Sequence, residues 1–146
     1  MNRIRPLAIC VFSHNGCILA AELVDPSKGA QVFYRPLGGG IEFGEYARQT
    51  LVRELREELN AEITNLHYLG TLENIFTFNG ERGHEIVLVY DGEFVDRALY
   101  ERPWLDVSEG EMDYMKFRAA WLPLEHFRTG TPPLYPDGLY ALLTAH

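Results

Sequence analysis

Lysine is nearly absent from this 146-residue chain. Of its 13 basic residues only Lys28 and Lys116 are lysines, against 21 acidic residues and a net charge of −8. Gripping long nucleic acid through its phosphates needs a cationic surface, so no long nucleic acid partner is expected. A small anionic substrate is still compatible, because a bound metal supplies positive charge locally. Cysteine is equally scarce. Cys10 and Cys17 form neither a disulfide framework nor a zinc spacing, and they read as small packing residues on either side of a turn. Long apolar runs are missing too. The N-terminal one has six or seven residues and leads into Ser13-His14-Asn15-Gly16, which is not a small-residue cleavage site. Nothing is long enough to span a bilayer. A cytoplasmic protein with no membrane contact is the expectation.

There is no internal repeat, low-complexity tract or long linker. One domain over residues 1–146 is expected. A chain of this size buries about 68–70% of its unfolded surface on folding, so a core needs no staples. Residues 7–13 and 17–24 are β-rich runs around His14-Asn15-Gly16, a hairpin signal. A turn at 25–29 precedes a short strand over 31–35, then three consecutive glycines read as a loop. A helix is expected over 46–59, and strands over 61–78 (with a break near Gly70) and 85–94. Residues 96–116 read as a long acidic loop. A last strand follows over 118–124, with a helical turn at 124–127 and a short helix over 138–146. Strands first, one strong helix and more strands point to an α+β fold with a mixed sheet covered by helices.

Chemistry concentrates in residues 38–61, GGGIEFGEYARQTLVRELREELNA. Six of the fifteen glutamates lie between Glu42 and Glu62. Glu54, Glu57 and Glu58 span about 100° of helix surface, with Cβ atoms about 5–6 Å apart. Carboxylates that close repel one another. The apolar stripe is Ala47, Leu51, Val52, Leu55 and Leu59, and Glu58 projects only about 20° from Leu51. The acidic face therefore borders the core, where isolated charge is costly. A hard divalent cation such as Mg²⁺, which takes oxygen ligands, is the economical partner. Gly38, Gly39 and Gly40 let the backbone approach a ligand closely. Arg53 is placed to pair with Glu45 or Glu42. Judged on residues 53–58 alone, an ordinary charge-laced surface helix is the better explanation of the pattern.

The combination decides otherwise. Gly39, five residues, Glu45, seven residues, then Arg53-Glu54-Leu55-Arg56-Glu57-Glu58 resembles the Nudix box in spacing and residue type, over 23 of the 146 residues. The box ends in a glycine and an aliphatic, where this chain has Asn60 and Ala61. The glycine position is a helix end in left-handed conformation, which asparagine tolerates next best. The resemblance implies a Nudix-like α/β/α sandwich. It also implies a hydrolase that cleaves a diphosphate linked to a variable group, using Mg²⁺ or, in substitution, Mn²⁺. By position it assigns Glu54, Glu57 and Glu58 as metal ligands, with the Gly38 carbonyl as a further one. Glu54 can alternatively position or deprotonate the attacking water, and Arg53 and Glu45 orient the others. One more acid from outside the box is implied. Glu85, Glu109 and Glu111 are candidates, with Glu111 preferred because it precedes the strand over 118–124, although loop acids are usually solvent-exposed. Arg35, Gly39, Gly40 and Phe78 are the candidate substrate contacts. Phe33, Tyr34, Phe76 and Trp104 are further aromatics able to stack on a ring. His84 reads as a turn histidine. A homodimer is a possible assembly, and a nucleotide sensor without turnover is the alternative function.

Overall fold

The computed structural model describes residues 2–108 and 117–145. Strand β1 (Ile4–His14) is its spine. Residues 7–12 are all buried, which a strand needs only when both its faces are covered. Alternation sorts these side chains. Ala8, Cys10 and Phe12 enter one core with Leu19, Leu51, Leu55 and Phe94. Leu7, Ile9 and Val11 enter another with Ile18, Val87, Val89 and Leu139. Helix α1 (Ala47–Leu59) covers the first core. The shorter α2 (Leu139–Thr144) covers the second. The expected α/β/α sandwich is present.

The remaining strands are β2 (Cys17–Asp25), β3 (Gln31–Arg35), β4 (Leu37–Gly40), β5 (Ile63–Phe78), β6 (Glu81–Phe94), β7 (Trp104–Val107) and β8 (Phe117–Pro123). They run in the order β5-β6-β1-β2-β8-β7, with β3 on β2 and β4 on β1. The β1–β6 pairing is parallel and the other strand pairings are antiparallel, so the sheet is mixed. The β1–β2 hairpin turns on Asn15 (φ 51°) and Gly16 (φ 78°), the double positive φ that Asn-Gly supplies. Its strands pair only at Ser13–Ile18 and His14–Cys17. Beyond that they diverge, and β4 takes the vacated edge of β1 over Leu7–Gly40 to Cys10–Leu37.

Three sequence expectations change here. The glycine segment is a strand, although glycine has poor strand propensity, because only a residue without a Cβ fits there. A Cβ on Gly38 would collide with the Ala8 carbonyl. Within the expected long loop, residues 97–101 form a 3-10 turn and 104–107 form β7, held as an edge strand by Leu105 and Val107. Helix α1 is also rotated from the expected stripe. It buries Ala47, Thr50, Leu51, Leu55 and Glu58, leaving Val52 and Leu59 half-buried. Burial pushes the Cys10 thiol pKa upward, in keeping with a packing role. Among the described residues no helix is long and apolar enough to cross a membrane.

Gly38→Ala should destabilise the protein by about 1–3 kcal/mol, the cost of overpacking against backbone that cannot move aside. Urea unfolding measures this. A loss below about 0.5 kcal/mol, the scale of an innocuous surface change, would show that β4 is not held closely against β1.

Candidate active site

Helix α1 starts where the Tyr46 N–H donates to the Gln49 side-chain oxygen at 2.8 Å. It ends at Asn60, left-handed at φ 52°, ψ 39°. There the Asn60 N–H donates to the Arg56 carbonyl at 2.9 Å and the Ala61 N–H to the Leu55 carbonyl at 3.2 Å. Asparagine therefore does the work expected of the glycine it replaces.

Ahead of the helix the chain makes a tight turn. The Glu45 N–H donates to the Glu42 carbonyl at 2.9 Å, with Gly44 at φ 85°. The Glu45 carboxylate closes the loop. It accepts from the Glu42 N–H at 3.2 Å and from the Thr50 hydroxyl at 2.6 Å. This explains the buried Thr50, a polar residue the apolar stripe does not include. Arg53 then reaches across. Its Nε and Nη2 each donate to Glu45 at 2.9 Å, a bidentate fork. Its Nη1 donates to Glu54 at 2.9 Å and lies 3.6 Å from Glu57 and 3.9 Å from Glu42. Nη2 also donates to the Gly40 carbonyl at 3.2 Å. One guanidinium thus joins the loop, the helix and β4. The expected pairing of Arg53 with Glu45 and Glu42 is observed in both parts.

The bonds from Arg53, then Thr50, hold the Glu45 carboxyl down at about 2, well below the usual carboxylate range. Glu45 in turn raises the Arg53 pKa. Glu54, with its side chain 17% exposed, lies over Gly39, where any Cβ would strike its carboxylate. Glu57 is looser, at 48% exposed. Glu58 is 5% exposed and sits against the core, as the helix geometry requires. Its backbone carbonyl accepts from the Ser108 N–H at 3.0 Å, tying α1 to the segment after β7.

Among the described residues no three acidic, histidine or cysteine side chains converge at metal-site spacing. Arg53 bridges the glutamates instead. The donor set still suits a hard divalent cation. Glu54, Glu57, Glu58 and nearby glycine carbonyls offer only oxygen, and the missing Cβ at Gly39 leaves Glu54 beside an open backbone.

Other expected residues divide. Gly39 lies against the Glu54 carboxylate and the Gly40 carbonyl meets Arg53, while Gly38 lies against the Ala8 carbonyl of β1. Arg35 ends β3 half-buried, opposite Ala21, whose side chain belongs to the α1-side core. Alternation therefore turns Arg35 toward the face that α1 covers. Phe78 instead packs at the far end of β5, edge-on to Phe33 with ring centres 6.0 Å apart, and Phe33 meets Tyr135 at 5.6 Å. Glu109 and Glu111 lie outside the described residues. His84 is in β6 opposite Ile4, not in a turn. Glu85 is a correction to the expectation of a solvated acid. It lies inside β6 and is 5% exposed, because strand alternation turns it inward with Val87. Arg5 and Asn74 are its neighbours across the sheet. Their signal is strand register, which the sequence does not display.

A NUDIX domain model matches residues 1–141. The chain belongs to the NUDIX hydrolase family. Over 66 residues it is 37% identical to an NAD-capped RNA hydrolase, NudC, of Pseudomonas aeruginosa, covering 45% of this chain and 22% of that one. Over 101 residues it is 32% identical to the NudC of Pseudomonas putida, covering 69% and 33%. The matched stretches thus span about a fifth to a third of these relatives. Two solved structures share the fold. A MutT NUDIX hydrolase from Burkholderia pseudomallei has a TM-score of 0.68 at 20% identity, covering 99% of this chain and 100% of that one. A NUDIX hydrolase from Nitrosomonas europaea has a TM-score of 0.62 at 17% identity, covering 97% and 87%. The family generally uses divalent metal ions.

Folding lowers the Glu45 pKa from 4.5 to about 2. Its stabilising contribution is therefore complete above about pH 4.5 and disappears as pH falls toward 2. Urea midpoints measured from pH 6 down to pH 2.5 should fall more steeply for the native protein than for Glu45→Gln. Parallel profiles would mean that the fork to Arg53 carries no pH-dependent stability.

Proposed function

We propose that the chain is a Mg²⁺-dependent hydrolase of the diphosphate linkage in a nucleoside diphosphate derivative or a related small phosphorylated compound. The observation that carries this reading is the Glu54 carboxylate, seated over a glycine that admits no side chain and fixed there by Arg53. Such a carboxylate is oriented before any substrate arrives.

Glu54, Glu57, Glu58 and the Gly38 carbonyl would hold the metal ion, with Glu111 as a further proposed ligand and Mn²⁺ as a substitute. The bound ion supplies charge neutralisation on the phosphates and a more acidic water. In the alternative role, Glu54 would position or deprotonate the attacking water, as general base. Arg53 keeps Glu54 and Glu57 in register while neutralising part of their mutual repulsion. Gly39 and Gly40 leave room for phosphate oxygens against the backbone. Arg35 faces this side of the sheet and is the proposed phosphate contact; Phe78 is the proposed stacking residue. The relatives named for NAD-capped RNA share one element with this reading, since NAD itself contains a diphosphate between two nucleosides. The net charge of −8 favours the free small molecule over a capped RNA. A cytoplasmic setting and a homodimer complete the proposal.

A panel of nucleoside triphosphates, ADP-ribose, NAD, NAD-capped RNA, nucleotide sugars and non-nucleotide diphosphates tests it. Cleavage of at least one member should require Mg²⁺, and Glu57→Gln should lower its kcat/KM by at least about 10-fold. Nucleotide binding without cleavage of any member would make the domain a sensor and sink the hydrolase reading.

A further inference from the structure

On the face of the sheet away from α1, one row of side chains is polar where the next is apolar. Leu7, Val87 and Leu72 pair across β1, β6 and β5 and border the α2-side core. One step along, the same three strands pair Arg5, Glu85 and Asn74. Glu85 and Asn74 are each only 5% exposed. A carboxylate so placed is costly unless hydrogen-bonded. Among the described residues it accepts no hydrogen bond, and its ion pair to Arg5 Nη1 is long at 3.9 Å. Asn74 is better held, its side-chain oxygen accepting the Asp137 N–H at 3.2 Å, which brings the segment before α2 to the row.

This row is connected to the carboxylates of the box. Arg5 is half-exposed, and a Cβ built on Gly40 would lie 3.4 Å from its Nη2. The Gly40 carbonyl accepts from Arg53, which holds Glu54. Glu85 is thus one arginine and one glycine away from the site. A carboxylate accepts hydrogen bonds and donates none when ionised. An acceptor kept buried, under-bonded and next to a site for diphosphates fits a substrate group that brings its own donors.

We propose that Glu85, flanked by Arg5 and Asn74, is a specificity-determining residue that receives paired hydrogen-bond donors from the organic group on the diphosphate. This rests on the hydrolase reading and names its substrate class. Two groups on nucleotides present such pairs: the N1–H and N2–H edge of guanine, and the vicinal hydroxyls of ribose. A site built around such a bond discriminates strongly against analogues that lack it.

Calorimetric binding of GMP, AMP and their 2′-deoxy forms tests the proposal without turnover. It compares the native protein with Glu85→Gln, which keeps shape and removes charge. A native preference for GMP over AMP, weakened about 10- to 100-fold in the variant, supports the proposal and assigns the guanine edge. The same loss in both ribonucleotides but not in their deoxy forms supports it and assigns the diol. Unchanged binding in the variant, equal weakening for all four ligands, or no binding to the native protein overturns it. The hydrolase reading is decided separately by metal-dependent cleavage. Matched melting temperatures of the two proteins show that any loss is not unfolding.

Discussion

The Arg53 guanidinium is the contact on which the site is organised. Glu42, Glu45, Glu54 and Glu57 all approach it, and without a cation among them their repulsion would drive the loop from the helix. It also anchors β4 through the Gly40 carbonyl. The planar fork matters, since three nitrogens bond in different directions at once. A lysine ammonium offers a single point of charge and cannot reproduce that. Partial burial makes the contact stronger than an ordinary surface ion pair, which contributes little.

A second constraint makes the first possible. Strand β1 is buried on both faces, so its alternate residues must satisfy two cores at once. Its divergence from β2 after two residue pairs leaves an edge that β4 fills. That edge is narrow. The Ala8 carbonyl closes in on Gly38, and the Glu54 carboxylate on Gly39. The glycines are therefore packing residues at the place where the proposed site lies. They bring backbone beside carboxylates where a side chain would keep the two apart.

Much of this was readable beforehand because it is local. Helix α1, the β1–β2 hairpin and the left-handed Asn60 depend on residues within a few positions of one another. So does the Arg53–Glu45 fork, whose partners are fixed by helix geometry and one turn. The structure departs from the sequence expectation where pairing is long-range. Four glycine-rich residues, 37–40, become a strand only when β1 lies beside them, and 104–107 become one only on the edge of β8. Thr50 is buried because Glu45 folds back over it, which an apolar stripe cannot reveal.

By itself, then, the sequence determined the pattern that marks the family. The spacing from Gly39 to Glu58 sets helix period, loop length and charge, and these are properties of contiguous chain. Tertiary structure alone decided what the other acids are. Glu85 is a charged residue in a strand until β1 and β5 align Arg5 and Asn74 on either side of it. Its burial, its long ion pair and its link through Gly40 to Arg53 all follow from strand register. Register is set by which faces two helices cover, and no local pattern encodes that.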